Sequence, residues 1–453
     1  MVRTPQPSVR SPQVASFWLL AASLVVLCFA GGASRADVPA QAVVRFFAWF
    51  ILSGMILAGL PFQWRKVRPV ALLLTGAIVL VALQLVPLPP FIWTALPGRD
   101  LFVEAAAAMG QPQPWRPLSL SPGATWNALG SLIVPVAALA LAANLDTQRH
   151  WRILAWLIVL VMAGAMLGML QFSGARYDNP LTNDIRGLVS GSFANRNHFA
   201  LFVAIGCLLI PAWAFHEDRN VRWKVLAATG VLAVMVLLLL AIGSRMGMVV
   251  GVLGLMLGAG AVQGSIRRAS RQLPAKMIAL LALSAAALVV LGVVLSISLD
   301  RAVSLDRALS LEASEDLRAR FVPVTLDLAV RYFPAGSGFG AFDPVFRAGE
   351  PDDLLQITYA NHAHNDWAEL ALDGGLLGIL LGIAAIVWWL RASYRAWRNT
   401  ASGNTLPRLG SAMILLVMVA SLTDYPARTP MIMALLAIGA VWLNEGSLVR
   451  KSS

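Results

Sequence analysis

Twelve stretches of the chain are apolar for close to the length that crosses a bilayer: 15–32, 41–61, 69–87, 125–145, 152–173, 198–215, 224–242, 246–263, 277–298, 368–390, 409–423 and 429–444. A spanning helix needs about 20 mostly apolar residues, because backbone amides must be paired internally in hydrocarbon. A chain of 453 residues cut this way has little left from which to build a soluble core. The sequence therefore predicts an all-α polytopic membrane protein of about twelve transmembrane helices. Only 13% of its residues are charged, where soluble domains carry roughly a quarter. Arg3 and Arg10 precede the first stretch and "GGASRA" follows it, so that stretch also has the form of a signal peptide. Its removal would leave the rest of the topology unchanged.

The net charge of +12 is an orientation signal. Alternate connections hold Arg3 and Arg10; Arg65, Lys66 and Arg68; Arg149 and Arg152; Arg219, Arg222 and Lys224; Arg267, Arg268, Arg271 and Lys276; Arg391, Arg395, Arg398 and Arg408; Arg450 and Lys451. These are 20 of the 35 basic residues, against only four acidic ones. The positive-inside rule places this set, and both termini, in the cytoplasm. No basic domain stands outside the apolar runs, which excludes a nucleic-acid partner; the bilayer is the partner. Cys28 and Cys207 lie inside apolar runs and read as small buried hydrophobes, not as a disulfide or a metal site.

The unusual sequence lies on the exported side. It comprises a loop at 88–124, a polar loop at 174–197, the one-turn connection "IGSR" at 242–245 and a long loop at 299–367. The long loop, between spans nine and ten, has helical apolar spacing until it breaks at "PAGSGFGAF". It is expected to form a mainly helical cap. Three domains follow: 1–150, four spans with the 88–124 loop; 151–390, a catalytic region including 299–367; and 391–453, the last two spans and a cytoplasmic tail.

Four polar clusters share that side: Arg196 with His198, Arg245 in "GSRMG", Arg320 in "DLRARF", and His362, His364, Asn365 and Asp366 in "NHAHNDW". Each has a structural reading of its own. Arginines at helix ends snorkel to headgroups, His198 fits a packed interfacial position, and His362 and His364 fit an ordinary loop. Arg245 is harder to dismiss, because its connection is too short to form a domain and Gly243, Ser244 and Gly247 let a ligand approach the backbone. A guanidinium fork matches phosphate oxygens, and a neutral imidazole can take a proton from a hydroxyl. Together these residues suit an enzyme that handles a lipid-linked phosphate or pyrophosphate. No aspartate-rich metal motif accompanies them, so arginine would stand in for a divalent cation.

"SFANRNHFA" (192–200), "GSRMG" (243–247), "RFVPVTLDLAVRYFPAGSGFGAF" (320–342) and "AHNDWAELALDGGLLG" (363–378) occur in that order. The set resembles the O-antigen ligase and O-antigen polymerase superfamily over roughly 150–390. Trp115 to Pro122 is similar to an upstream loop of proteobacterial members. The resemblance implies a GT-C-like, metal-independent glycosyltransferase of the bacterial inner membrane, without a cofactor and with a periplasmic active site. Its donor would be an undecaprenyl-pyrophosphate-linked glycan and its acceptor a glycan or lipid A-core, with a chain-length regulator as a further partner. The resemblance assigns pyrophosphate binding to Arg196 and Arg245 and activation of the acceptor hydroxyl to His364. Arg320, Asn365, Asp366, His198 and His362 are supporting candidates. Trp367 replaces the tyrosine that usually follows His-Asn-Asp.

Polymerase is the leading reading, ahead of ligase and protein O-oligosaccharyltransferase. A solute transporter is the competing class. Carriers place ionisable groups near the bilayer midplane, whereas here Arg45, Glu369 and Asp373 all fall near span ends. An inactive membrane subunit would not need the arginine and histidine set.

Overall fold

A computed structural model describes residues 12–174, 179–182, 188–216, 221–270, 313–355, 360–399 and 404–445. The described chain is helical, with one antiparallel pair of two-residue strands, Pro87–Leu88 against Arg116–Pro117. The helices are α1 (Pro12–Ala30), α2 (Pro39–Leu57), α3 (Arg68–Leu83), α4 (Pro90–Trp93), α5 (Asp100–Ala108), α6 (Pro122–Ser131) and α7 (Ile133–Ala143). Next come α8 (Thr147–Phe172), α9 (Arg196–Ala214), α10 (Val221–Ile242), α11 (Arg245–Ala261) and α12 (Gln263–Ser270). The rest are α13 (Ala313–Arg331), α14 (Phe342–Gly349), α15 (Asp366–Arg398), α16 (Thr405–Ala420) and α17 (Pro430–Glu445).

Eleven of the twelve apolar stretches coincide with these helices, while 277–298 and the adjoining 299–312 lie outside the described residues. By length and composition the described residues hold seven spans, α6 and α7 counting as one helix of 22 residues. The pair α11 and α12, bent by 69°, makes an eighth. Of the other expected stretches, 277–298 lies outside the described residues, and α3, α16 and α17 have 16 residues each. Sixteen residues make about 24 Å of helix, short of a core of about 30 Å.

Proline and short polar caps set many of the helix starts. Proline occupies the first turn of α2, α3 and α6, where its missing N–H is harmless. Asp146, Asn195, Ser244 and Asn365 cap α8, α9, α11 and α15 by accepting backbone N–H groups.

The described connections meet at two ends of the bundle. At one end Gly32 O accepts from Ala194 N, Gly31 O from Met431 N and Leu181 O from Ala40 N. At the other, Lys66 Nζ donates to Leu145 O at 2.8 Å and pairs with Glu445 at 3.2 Å, and Arg408 Nη1 reaches Ala261 O at 3.1 Å.

The centre of the bundle is α9, 89% buried over its apolar window. Its contact with α11 relies on glycines at 247, 254 and 258, which face α9. A Cβ on Gly254 would stand 2.7 Å from Ala204 O, and one on Gly258 would stand 2.4 Å from Leu208 O.

Outside the bundle, Phe321 of α13, Tyr332 just after it, and Phe342 and Phe346 of α14 form a second small core. Within the 299–367 stretch, α13 and α14 are the described α-helices ahead of α15. The glycine-rich break follows α13, with positive φ at Gly336, Gly338 and Gly340. Its backbone is stitched to the 88–124 loop and α6: Leu120 N donates to Ser337 O at 2.8 Å and Thr125 Oγ1 to Phe339 O at 2.7 Å. Buried Arg99 lies between the Trp93 and Tyr332 rings and donates to Leu118 O and Gly336 O. Within α15, Gly375 has φ +54, and a Cβ there would meet Pro334 O at 2.2 Å. Only glycine permits this kink, which lets the glycine-rich loop sit against the helix.

Gly254→Val forces α9 and α11 apart and is expected to cost about 1–3 kcal/mol, read as a lowered melting temperature in detergent. Gly230→Val, on α10 where a Cβ meets nothing within 4 Å, is the matched control and should lose far less.

Candidate active site

The site forms where the starts of α9, α11 and α15 meet the connection between α16 and α17, "TDYPAR" (423–428). Asp424, fully buried, is its hub. Asn195 Nδ2 lies 3.0 Å from Oδ2, Asn197 Nδ2 donates to the same oxygen at 2.7 Å, and Tyr425 N donates to Oδ1 at 2.9 Å. Two imidazoles face Oδ1 as well, His364 through Nδ1 at 3.2 Å and His198 through Nε2 at 3.5 Å. Burial pushes this carboxyl's pKa up, but His198 and His364 outweigh it and hold the group well below the usual carboxylate range.

The caps that start the helices also bind them to this hub. Ser244 Oγ caps α11 and donates to Asn197 Oδ1 at 2.8 Å, while Asn197 in turn reaches Asp424. Arg196 and Arg245 are therefore the first residues of two helices whose N-termini are tied together beside one carboxylate. Helix N-termini carry partial positive charge and orphan N–H groups, which favour an anion.

His364 has φ +50, the one positive value among the described non-glycine residues. That conformation costs about 1–3 kcal/mol and clusters at functional sites. With Nδ1 turned to Asp424, a proton on Nδ1 leaves the lone pair on Nε2, the form of a general base. Tyr425 packs against three imidazoles, with ring centroids 4.2 Å from His362, 4.9 Å from His198 and 5.0 Å from His364. His198 also meets Thr429 Oγ1 through Nδ1 at 2.9 Å.

A second network adjoins the first. Arg428 approaches Asp366 at 3.3 Å, Glu369 at 3.1 Å and Asp373 at 3.5 Å. The spacing of these three carboxylates along α15 puts them on one helical face. Burial works against the charge on Arg428, but Glu369, Asp373 and Asp366 outweigh it and keep its pKa above the ordinary value. Glu369 also meets His362 Nδ1 at 2.9 Å and accepts from Ala363 N at 2.9 Å. Asp366 accepts from Ser421 Oγ at 2.8 Å and Ala427 N at 3.1 Å. Among the described residues, no three of His, Cys, Asp and Glu are grouped to hold a metal ion.

The structure thus gathers His198, His362, His364, Asn365 and Asp366 with the helix starts bearing Arg196 and Arg245. Asn365 does structural work, capping α15 at Trp367 N and Ala368 N and donating to Leu422 O at 2.9 Å. Arg320 stands apart: on the exposed side of the cap it ion-pairs with Asp353 and makes none of the described contacts of the cluster. Asp424, Tyr425 and Arg428 are absent from the sequence reading. The available signal was the one that singled out "IGSR": charged residues in a tight connection between two apolar runs on the exported side.

A cavity of about 700 Å³ opens beside the Arg428 network. It is lined by His362, Asp366 and Arg428, whereas His364, Arg196 and Arg245 are not on its wall.

These features define a multi-pass helical membrane protein with a buried histidine and carboxylate site at one end of its bundle. Residues 230–383 match the O-antigen ligase family model (Wzy_C), which supports the resemblance to the O-antigen ligase and polymerase superfamily. No curated protein matches the chain.

Arg428→Leu would surround an apolar side chain with three carboxylates and is expected to cost about 3–5 kcal/mol, read as a fall in melting temperature. Adding Glu369→Gln and Asp373→Asn should recover part of the loss. The depressed pKa of Asp424 stabilises the fold above the unfolded carboxylate value and stops doing so as pH falls through the folded one. The stability gap between wild type and Asp424→Asn should therefore shrink below about pH 4, measured by thermal unfolding across pH.

Proposed function

We propose that the chain is a membrane glycosyltransferase that moves an undecaprenyl-pyrophosphate-linked oligosaccharide onto a hydroxyl acceptor. It acts at the periplasmic face of the bacterial inner membrane as a surface-polysaccharide polymerase. The observation that carries this reading is the His364 to Asp424 contact, set beside the joined N-termini of α9 and α11, each begun by an arginine. The family match to residues 230–383 supports the reaction class.

In this reading the acceptor oxygen attacks the anomeric carbon of the donor sugar, and its proton passes to His364 Nε2. The bond from that carbon to the pyrophosphate oxygen breaks with its electron pair, and undecaprenyl pyrophosphate leaves. Arg196, Arg245 and the two helix N-termini meet the negative charge that develops on the leaving group. Asp424 orients the imidazole and stabilises its protonated form, as the third member of a catalytic triad does. No step requires a metal or a cofactor. The style of the exported loops resembles members tied to exopolysaccharide and O-antigen polymerisation, which favours the polymerase assignment over transfer to lipid A-core or to a protein serine. The position of the ionisable groups at one end of the bundle supports chemistry over transport.

Deletion of the gene should leave lipopolysaccharide with a single repeat. Lipid A-core without any repeat would instead identify a ligase, and unchanged glycans with an uptake defect would overturn the transferase reading. His364→Ala should lower transfer by about 10²–10⁴-fold, with the protein still inserted, and Arg245→Lys should not restore what Arg245→Ala loses. Wild-type glycan from both alanine variants would refute the assigned site.

A further inference from the structure

The residues between α3 and α6, 84–121, carry large apolar side chains that the protein leaves uncovered. Phe91 is 76% exposed, Met109 73% and Trp115 65%, and Val86, Ile92 and Leu101 are exposed as well. A connection bathed in water has no use for so much apolar surface. In α5 the exposed groups are ordered. Leu101, Ala105, Ala108 and Met109 recur at helical spacing and form one exposed stripe. Phe102, Val103 and Ala106 are half-buried on a second face, and Asp100 and Glu104 make up the third.

The segment is held in one orientation. The strands Pro87–Leu88 and Arg116–Pro117 close its base, Trp93 Nε1 donates to Pro117 O at 2.8 Å, and Gln113 Nε2 donates to Val103 O at 3.0 Å. Arg99, immediately before α5, donates to Leu118 O and to Gly336 O of the glycine-rich break. The Arg116 guanidinium lies 4.7 Å from the centre of the Trp93 ring. The stripe on α5 cannot be turned inward without breaking these links, so Leu101 and Met109 face whatever surrounds the protein at this level.

Continuity with the spans says what that is. The exposed residues of α3, Leu72, Val79 and Leu83, are followed past the helix end by Val86, Phe91 and Ile92. Sixteen residues of α3 supply about 24 Å of a core of about 30 Å, so the apolar residues after it continue a surface that α3 ends too soon to complete. At the other end of the segment, Trp126 is exposed just over one turn into the spanning helix Pro122–Ala143, where an interfacial aromatic belongs. Both ends of the segment therefore join the bilayer through exposed apolar residues. We infer that this segment is a membrane-surface contact: Phe91, Leu101, Met109 and Trp115 face the acyl chains, and α5 lies in the headgroup layer with Asp100 and Glu104 toward water. An interfacial helix of this kind binds lipid through its buried apolar area. The inference does not rest on the transferase reading. Through Arg99 and Gly336 the same contact fixes the glycine-rich break at the level of the headgroups.

The test uses the full chain in phosphatidylcholine nanodiscs holding one copy each. Cys28 and Cys207 are buried, so Leu101→Cys, Met109→Cys and Glu104→Cys can each carry a single nitrobenzoxadiazole label. The labels on Leu101→Cys and Met109→Cys should show blue-shifted emission and be quenched by doxyl-phosphatidylcholine. The label on Glu104→Cys should instead be quenched by iodide in the water. Equal iodide quenching at all three positions would overturn the inference. A blue shift confined to discs holding two copies would also overturn it, and would identify a second copy of this chain as the occupant. The unlabelled wild-type chain supplies an independent reading that no substitution can disturb. A diazirine on a phosphatidylcholine acyl chain should mark the peptide from Leu101 to Met109, and its absence there, with the spanning helices marked, would overturn the inference.

Discussion

A carboxylate buried at the end of an apolar bundle is costly unless it is fully paired, and the organisation of this protein follows from how Asp424 is paired. Its partners come from the start of α9, the start of α15 and its own turn. Removing any one leaves a buried acceptor short of a donor, a larger penalty than the hydrogen bond itself is worth. Asn195 and Asn197 cannot satisfy Asp424 without fixing where α9 begins, and Ser244 cannot cap α11 and reach Asn197 without fixing α11 beside it. The glycine face of α11 then lets the two helices stay close enough for those polar links to form.

The Arg428 network has the opposite character. Around Asp424, donors surround one negative charge; around Arg428, acceptors surround one positive charge. The two are joined by the short connection that carries both residues, with Tyr425 between them.

The apolar runs and the two-ended charge pattern are legible in the sequence because hydropathy and positive charge act locally, residue by residue. The proximity of Arg196, Arg245 and the His362 to Asp366 segment is legible for a related reason, since topology places them at one end. Arg320 is not legible in the same way, because a local reading gives no warning that Asp353, 33 residues on, takes its guanidinium. Asp424 is the largest omission. It stands 229 residues from Asn195 and 60 from His364, and its own segment holds only a short polar turn between two apolar helices. Burial and five donors make it the hub, and neither property exists until the helices pack. The capping role of Asn365 is visible in hindsight as an asparagine ahead of a helix start, where chemistry was sought instead.

The pairing of Asp424 with Asn195 has a consequence for biogenesis. The matched region, 230–383, contains Arg245 and His364 but neither Asn195 on one side nor Asp424 on the other. During synthesis α9 enters the membrane long before its carboxylate partner exists, and the amides at its threshold must wait in contact with water or headgroups. The site closes only when the last two helices arrive. A polypeptide halted at residue 420 would carry every family motif and still lack the group that holds its histidine, so completion of the C-terminal hairpin is the step at which the site is assembled.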